Sequence, residues 1–215
     1  KEYEVRGFPI IAPAGGESSG FVQFRGVDDL RFRIFEYNGF EVGPLAGYRF
    51  GRDEDDATRL TGLGDVDGGI VVGGYAAYNF GSFKPFLSYH HQVTGDDAGA
   101  VLRAGAETRF SLTPNIMVTA VAGASYADDE YMQSYFSVTA AQALASGLSA
   151  YDADSGFKDV YFSLGTDIPL SELWSMKLGV KYTHLIGDAS DSPIVETDSQ
   201  FSGLLGFSYR FGLAR

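Results

Sequence analysis

The sequence contains no cysteine, so a disulfide framework and a thiolate metal or redox centre are both excluded. It is poor in positive charge, with 16 Lys and Arg against 28 Asp and Glu and a formal net charge of -12. Without a basic stripe there is nothing to neutralise phosphates, which sets nucleic-acid binding aside. Long hydrophobic runs are missing too. Ile70-Val71-Val72 and Leu204-Leu205 fall far short of the roughly 20 apolar residues that a spanning helix needs, so a membrane crossing would have to be made by strands. The chain opens at Lys1 without an initiator Met or a signal peptide, and its N-terminus reads as processed or incomplete. No shift in composition marks a second unit, and residues 1–215 read as one domain.

What is present is glycine, 28 residues of it, aromatics at 14%, and an alternation of period two. Phe201, Gly203, Leu205, Phe207, Tyr209 and Phe211 fall on one face, with Ser202, Gly206, Ser208 and Arg210 on the other. Met176, Leu178, Val180 and Tyr182 alternate in the same way with Lys177, Gly179, Lys181 and Thr183. The pattern recurs over residues 160–168, 116–126, 102–110, 83–89, 70–80 and 40–50, each about the length of a tilted spanning strand. Leu30-Phe32-Ile34 alternates with Arg31 and Arg33, residues 21–25 form its hairpin partner, and residues 3–11 make a less regular strand weakened by Pro9 and Pro13.

Tight turns at Asn38-Gly39, Gly81-Ser82, Thr113-Pro114-Asn115 and Ser171-Glu172 alternate with longer polar links over residues 53–69, 94–99, 127–156 and 187–200. Such a pattern suits short periplasmic turns and longer external loops. In the longest link, residues 139–146 are rich in helix formers and Gly147 can supply a left-handed stop, so one short surface helix is predicted there.

A soluble sandwich alternates too, but it buries its apolar face. The transmembrane β-barrel is favoured because the polar face carries charges in mid-strand, interleaved with glycine. Phe50, Phe80, Phe83, Phe110, Tyr126, Trp174 and Phe211 lie near strand ends, where interfacial girdles sit; strand propensity alone also enriches aromatics. The predicted fold is all-β: an antiparallel transmembrane β-barrel of about twelve strands when complete, about eleven of them in this chain.

More specific stretches support this. Val42-Gly43-Pro44, Gly47-Tyr48-Arg49-Phe50-Gly51-Arg52 and Leu60-Thr61-Gly62-Leu63-Gly64-Asp65-Val66-Asp67 are followed by Ser125-Tyr126-Ala127-Asp128-Asp129-Glu130-Tyr131-Met132, Tyr135-Phe136-Ser137-Val138-Thr139-Ala140-Ala141-Gln142, Phe157-Lys158-Asp159-Val160 and Asp191-Ser192-Pro193-Ile194-Val195. In this order, over nearly the whole chain, they resemble the MipA/OmpV family of Gram-negative outer-membrane proteins. Phe207, Tyr209 and Phe211 resemble an outer-membrane assembly signal, although Gly212-Leu213-Ala214-Arg215 continues past the Phe where such chains usually stop. The resemblance starts at the family's second strand, and so implies that a first strand precedes Lys1. It also implies an integral protein of the cell outer membrane, in contact with lipid and lipopolysaccharide. Its implied role is a non-enzymatic scaffold linking a lytic transglycosylase to a bifunctional penicillin-binding protein.

The residues keep rivals open. A barrel of this size can enclose a narrow pore, and long loops suit an adhesin or immunogen. Short periplasmic turns leave little area for a partner that must bury roughly 1,200 Å². The alternation assigns Arg31, Arg33, Arg49, Lys84, Arg103, Arg109, Lys177, Lys181 and Arg210 to the lumen against Glu41, Glu107 and Asp167. An open lumen would then be weakly anion-selective. His90 and His91 point to opposite faces and make a poor metal site. His184 has no Ser or carboxylate fixed beside it by local spacing, so no catalytic dyad is read. Asp65-Val66-Asp67-Gly68 starts like a calcium loop but lacks its closing Glu. The acidic loop clusters, Asp53-Glu54-Asp55-Asp56, Asp96-Asp97 and Asp128-Asp129-Glu130 among them, could gather divalent cations that bridge to lipopolysaccharide phosphates; solvated loops explain them equally. No cofactor is implied.

Overall fold

Alternating apolar and polar residues cannot satisfy both faces in one medium, and the sheet shows how this chain divides them. The computed structural model describes residues 21–95, 99–114 and 116–209. Its strands are β1 (Val22–Gly26), β2 (Asp29–Phe32), β3 (Phe35–Tyr37), β4 (Phe40–Arg49), β5 (Gly69–Tyr78), β6 (Phe83–Gln92), β7 (Ala100–Thr113), β8 (Ile116–Ala127), β9 (Gly156–Pro169), β10 (Trp174–Leu185) and β11 (Ser199–Tyr209). They form one antiparallel sheet in sequence order, with β3 paired beside β2 along β4, curled into a half-barrel.

The described residues form eleven strands, in line with the expected number of about eleven, but the strands are divided differently. The predicted strand over residues 3–11 lies outside the described residues. The eleventh is instead the short β3, created where the β2 course breaks at Arg33-Ile34 before resuming along β4. Asn38 and Gly39 both take positive φ, 48° and 82°, the geometry of a type I′ turn whose twist matches the strands it joins.

The apolar set faces out. Leu178, Val180, Leu205 and Phe207 are 38%, 60%, 65% and 62% exposed, while Arg31, Glu41, His90, Glu107 and Asp159 are buried. A soluble sandwich requires the reverse, and a membrane barrel requires this arrangement. Pairing also slides across the sheet. From strand to strand, pairing leads from Glu41 through Ala77, Phe86, Gly105, Gly123, Tyr161 and Thr183 to Gln200. That row begins one residue from the lower, tight-turn end of β4 and finishes one residue from the upper, long-loop end of β11. Such stagger is what the tilted strands of a barrel produce. No helix among the described residues is long and apolar enough to cross a membrane.

The long loops build a cap with three α-helices, where only one was predicted: α1 (Asp129–Phe136), α2 (Ala140–Ser146) and α3 (Asp188–Asp191). Helix α2 is the expected one. It is closed at its start by a reciprocal capping box between Thr139 and Gln142 and at its end by left-handed Gly147. Helix α1 starts because the Asp128 carboxylate accepts from the Tyr131 backbone N–H, with Asp129 and Glu130 favourably placed in its first turn. Val101, Ala127, Met132, Ala153 and Ala189 are buried together beneath Tyr131, Phe136 and Tyr151. Gln142 donates to Leu63 O, Arg52 to Tyr135 O, Arg59 to Pro193 O and Ser192 to Phe136 O, tying separate loops to one another.

Candidate functional site: the polar face and the hairpin across it

The hairpin formed by β1 and β2 is too short to span a bilayer, five and four residues against the 9–11 or so a tilted spanning strand needs. Its backbone is held by β4: Leu30 and Arg31 pair with Ala46 and Leu45, and Tyr48 N–H donates to Val27 O at 3.0 Å. Its side chains reach further. Arg103 on β7 grips Asp28 in the hairpin turn with both guanidinium nitrogens, 3.2 and 2.5 Å. Arg25 on β1 holds Glu107 on β7 at 2.8 Å. Since β4, β5 and β6 intervene in the sheet, these contacts cross the concave interior.

Between these ties lies a buried polar group. Arg31 donates to both oxygens of Asp29 at 2.8 Å, a bidentate pair, and its guanidinium sits 4.9 Å from the ring centres of both Tyr75 and Phe86. His90 Nδ1 donates to Asp28 O at 3.1 Å, which leaves Nε2 to accept from Ser88 Oγ at 2.9 Å. This is a Ser–His contact with its tautomer fixed, but His90 and Ser88 are 0% and 1% exposed, beneath the hairpin and out of reach of any substrate in this conformation.

The other residues assigned to the lumen fall along the same face. Lys84 pairs with Glu41, Arg33 with Glu36 at 2.5 Å, and Lys177 with Asp167 at 2.5 Å. Arg109 approaches Glu107 at 3.4 Å, Lys181 lies 4.5 Å from the Tyr161 ring centre, and Arg49 donates to Gly99 O at 3.2 Å while lying over Tyr131. Arg210 and Phe211 lie outside the described residues. Phe207 and Tyr209 are exposed, with Tyr209 against Trp174.

Three acids missing from the sequence reading supply much of the compensation: Asp28 and Asp29 from the hairpin, and Asp159 on β9, which accepts from Ser125 and pairs with Lys158. Asp28 and Asp29 sit between two short strands, where acids are ordinary turn residues, so nothing local singles them out. Asp159 could have been found, since it keeps the strand alternation of Asp167.

His184 also departs from expectation. The β10–β11 pairing sets it opposite Ser199, 3.5 Å away, with Asp198 at 3.7 Å. Both approach the same nitrogen, Nδ1, at distances too long for firm hydrogen bonds, so the group does not form a proton relay. His91 stacks on Tyr89, on the face opposite His90. Among the described residues no cluster of three or more His, Asp or Glu side chains could hold a metal ion. Asp65 accepts from the Glu54 N–H, and Glu54 in turn accepts from the N–H groups of Gly62 and Gly64. In the cap, burial lifts the Tyr151 hydroxyl above its ordinary range, with Asp188, Asp191 and Asp154 adding to the effect.

An antiparallel, staggered sheet, apolar outside and ion-paired inside, with short turns at one end and a loop cap at the other, defines a membrane-spanning protein of the β-barrel class. A family model described as MltA-interacting protein MipA matches residues 1–211, and the chain belongs to that family. Its relatives are named as outer-membrane proteins. It is 26% identical to the outer membrane protein Omp26La of Vibrio anguillarum and 24% identical to OmpV of Vibrio cholerae, each over 85% of this chain and 71% of the relative. It is 28% identical to the putative outer membrane protein YiaT of Escherichia coli over 48% of this chain. That match spans only 39% of YiaT's length. The protein is thus an outer-membrane protein of this family.

Proposed function

We propose that the chain is the barrel part of a non-enzymatic outer-membrane protein whose interior is closed, and that it anchors a periplasmic lytic transglycosylase and, through it, a bifunctional penicillin-binding protein. The observation that carries the closed interior is the hairpin lying across the polar face, its charges consumed in pairs with β7. The cap above it, with loops bonded to one another, points the same way. A closed barrel suits attachment better than transport. The partner's identity is supported by the family description, MltA-interacting protein.

The lower rim offers more surface than its turn lengths suggest. Leu112, Leu170, Leu173 and Trp174 are exposed there, and β7 runs five residues past Thr108, the partner of the first residue of β6. The test has two arms. Purified protein in planar bilayers is expected to show no steady conductance, and immobilised protein is expected to retain a purified lytic transglycosylase, with retention lost on Leu112→Glu and Leu173→Glu. Retention by neither the parent protein nor its variants rejects the anchor.

A second reading, a weakly anion-selective pore, draws on the excess of bases on the polar face. It predicts a reversal potential favouring anions that vanishes or changes sign in Arg103→Glu/Arg109→Glu.

A further inference from the structure

We propose that the β1–β2 hairpin is a latched plug: it closes the interior of the barrel through side-chain ties to β6 and β7, and its release opens an ion path along the basic face it covers. The inference rests on the closed-interior reading above and adds the element that does the closing.

Four observations carry it. First, the hairpin does not serve as wall, being too short to span. Second, among the described residues its backbone hold is narrow: two residue pairs between β2 and β4, the bond from Tyr48 to Val27 O, and just past the hairpin the bond from Ile34 to Val42 O. Third, among the described residues its hydrogen bonds and ion pairs to the far wall are made by side chains: Arg103 to Asp28, Arg25 to Glu107, His90 to the Asp28 carbonyl, and Arg31 to Ser88 at 3.4 Å, with Arg31 also lying over the Phe86 ring. Contacts of this kind can be exchanged for water in a way that apolar packing cannot. Fourth, lifting the hairpin takes Asp28 and Asp29 away together with Arg25 and Arg31, and leaves Arg103, Lys158 and Lys181 against Glu107 and Asp159 facing the opened space, a balance that stays basic. The path so exposed favours anions.

Breaking either latch leaves a charged partner unpaired. An interior pair of this kind, once broken, shifts an opening equilibrium by about a hundredfold. A thiol-specific route to detection exists because the chain has no cysteine of its own, so an introduced thiol is the only one in it. Ser88→Cys places it under the hairpin, and Ala153→Cys, in the buried cluster of the cap, reports whether the rest of the protein stays folded.

The experiment uses full-length chain in lipid vesicles and a small charged methanethiosulfonate as probe. In Ser88→Cys the thiol is expected to be protected, and adding Asp28→Ala and Glu107→Ala to raise its labelling rate about a hundredfold, while Ala153→Cys in the same background stays protected. In planar bilayers the Asp28→Ala/Glu107→Ala protein is expected to gain an anion-selective conductance that the parent lacks. Steady conductance in the parent overturns the closed-interior reading itself. A silent parent whose Ser88→Cys is equally protected with and without the latch substitutions overturns the plug and leaves that reading standing. Loss of protection at Ala153→Cys as well shows a hairpin that holds the whole fold together, and likewise overturns the plug.

Discussion

The polar face is one continuous surface, yet its two halves differ. Over β4 to β7 it is sealed: Glu41, Ser88, His90, Gln92 and Glu107 are buried. Over β10 and β11 the same face is half-buried or exposed except at Leu185, where β10 meets the cap, and its ion pair, Lys177 with Asp167, is open to solvent. The strands have the same alternation in both halves. What differs is that the β1–β2 hairpin lies over one and not the other. Burial of a polar residue in this protein therefore follows from what covers it, and its energetic weight follows from its place under that cover.

The sharpest way to break the comparison is to remove one partner in each half. Arg31→Ala leaves Asp29 charged and buried, and is expected to cost about 3–5 kcal/mol, read as a fall in the urea midpoint of protein folded into vesicles. Lys177→Ala, on the open side, is expected to stay within about 1 kcal/mol. If both midpoints shift alike, the hairpin is not what separates the halves.

A steric pair comes next. A Cβ on Gly43 would lie 1.7 Å from Phe32 O, where β2 crosses β4, whereas the nearest atom to a Cβ on Gly203 is 4.0 Å away. Gly43→Ala is expected to cost about 1–3 kcal/mol by forcing β2 off β4; Gly203→Ala is expected to be neutral or mildly stabilising. Urea titrations of the two variants side by side decide it, and a neutral Gly43→Ala would mean that β2 has room to move without loss.

The smallest of the three concerns the cap, which spans both halves. Thr139→Ala removes one side of the capping box on α2 and is expected to cost about 1 kcal/mol. Because α2 leans on the 50–68 loop through Gln142 and Leu63, the loss should appear as faster proteolysis of the cap with strand protection unchanged. Faster cleavage within the strands would show that cap and wall unfold as one.

Much of the wall was legible in the sequence. Period-two alternation in Leu178-Gly179-Val180 or Leu205-Gly206-Phe207 can be satisfied only by a two-faced strand, and mid-strand charges such as Arg103 and Glu107 said which face was sheltered. The cover was not legible, for a physical reason. Asp28 meets Arg103 across 75 residues of sequence and Arg25 meets Glu107 across 82, and no local period reports a contact at that range. Helix α1 was different, because its signal was visible and assigned to another cause. Asp128-Asp129-Glu130 was read as a possible cation-gathering cluster, when Asp128 is a cap whose two oxygens accept from the Tyr131 and Ala100 N–H groups.

Gly105 and Gly123 are partners on neighbouring strands, and the space that their Cβ atoms would fill is taken by Ala122 O at 2.5 Å and Ala104 O at 2.6 Å, with the side chains of Phe86 and Tyr161 close behind. With no side chain of their own on the concave side, the two glycines leave that space to the carbonyls of the facing strand and to the two flanking rings. The β7–β8 seam is therefore a line along which the wall tolerates no added side chain, because a methyl group on either glycine would run into the backbone of the neighbouring strand.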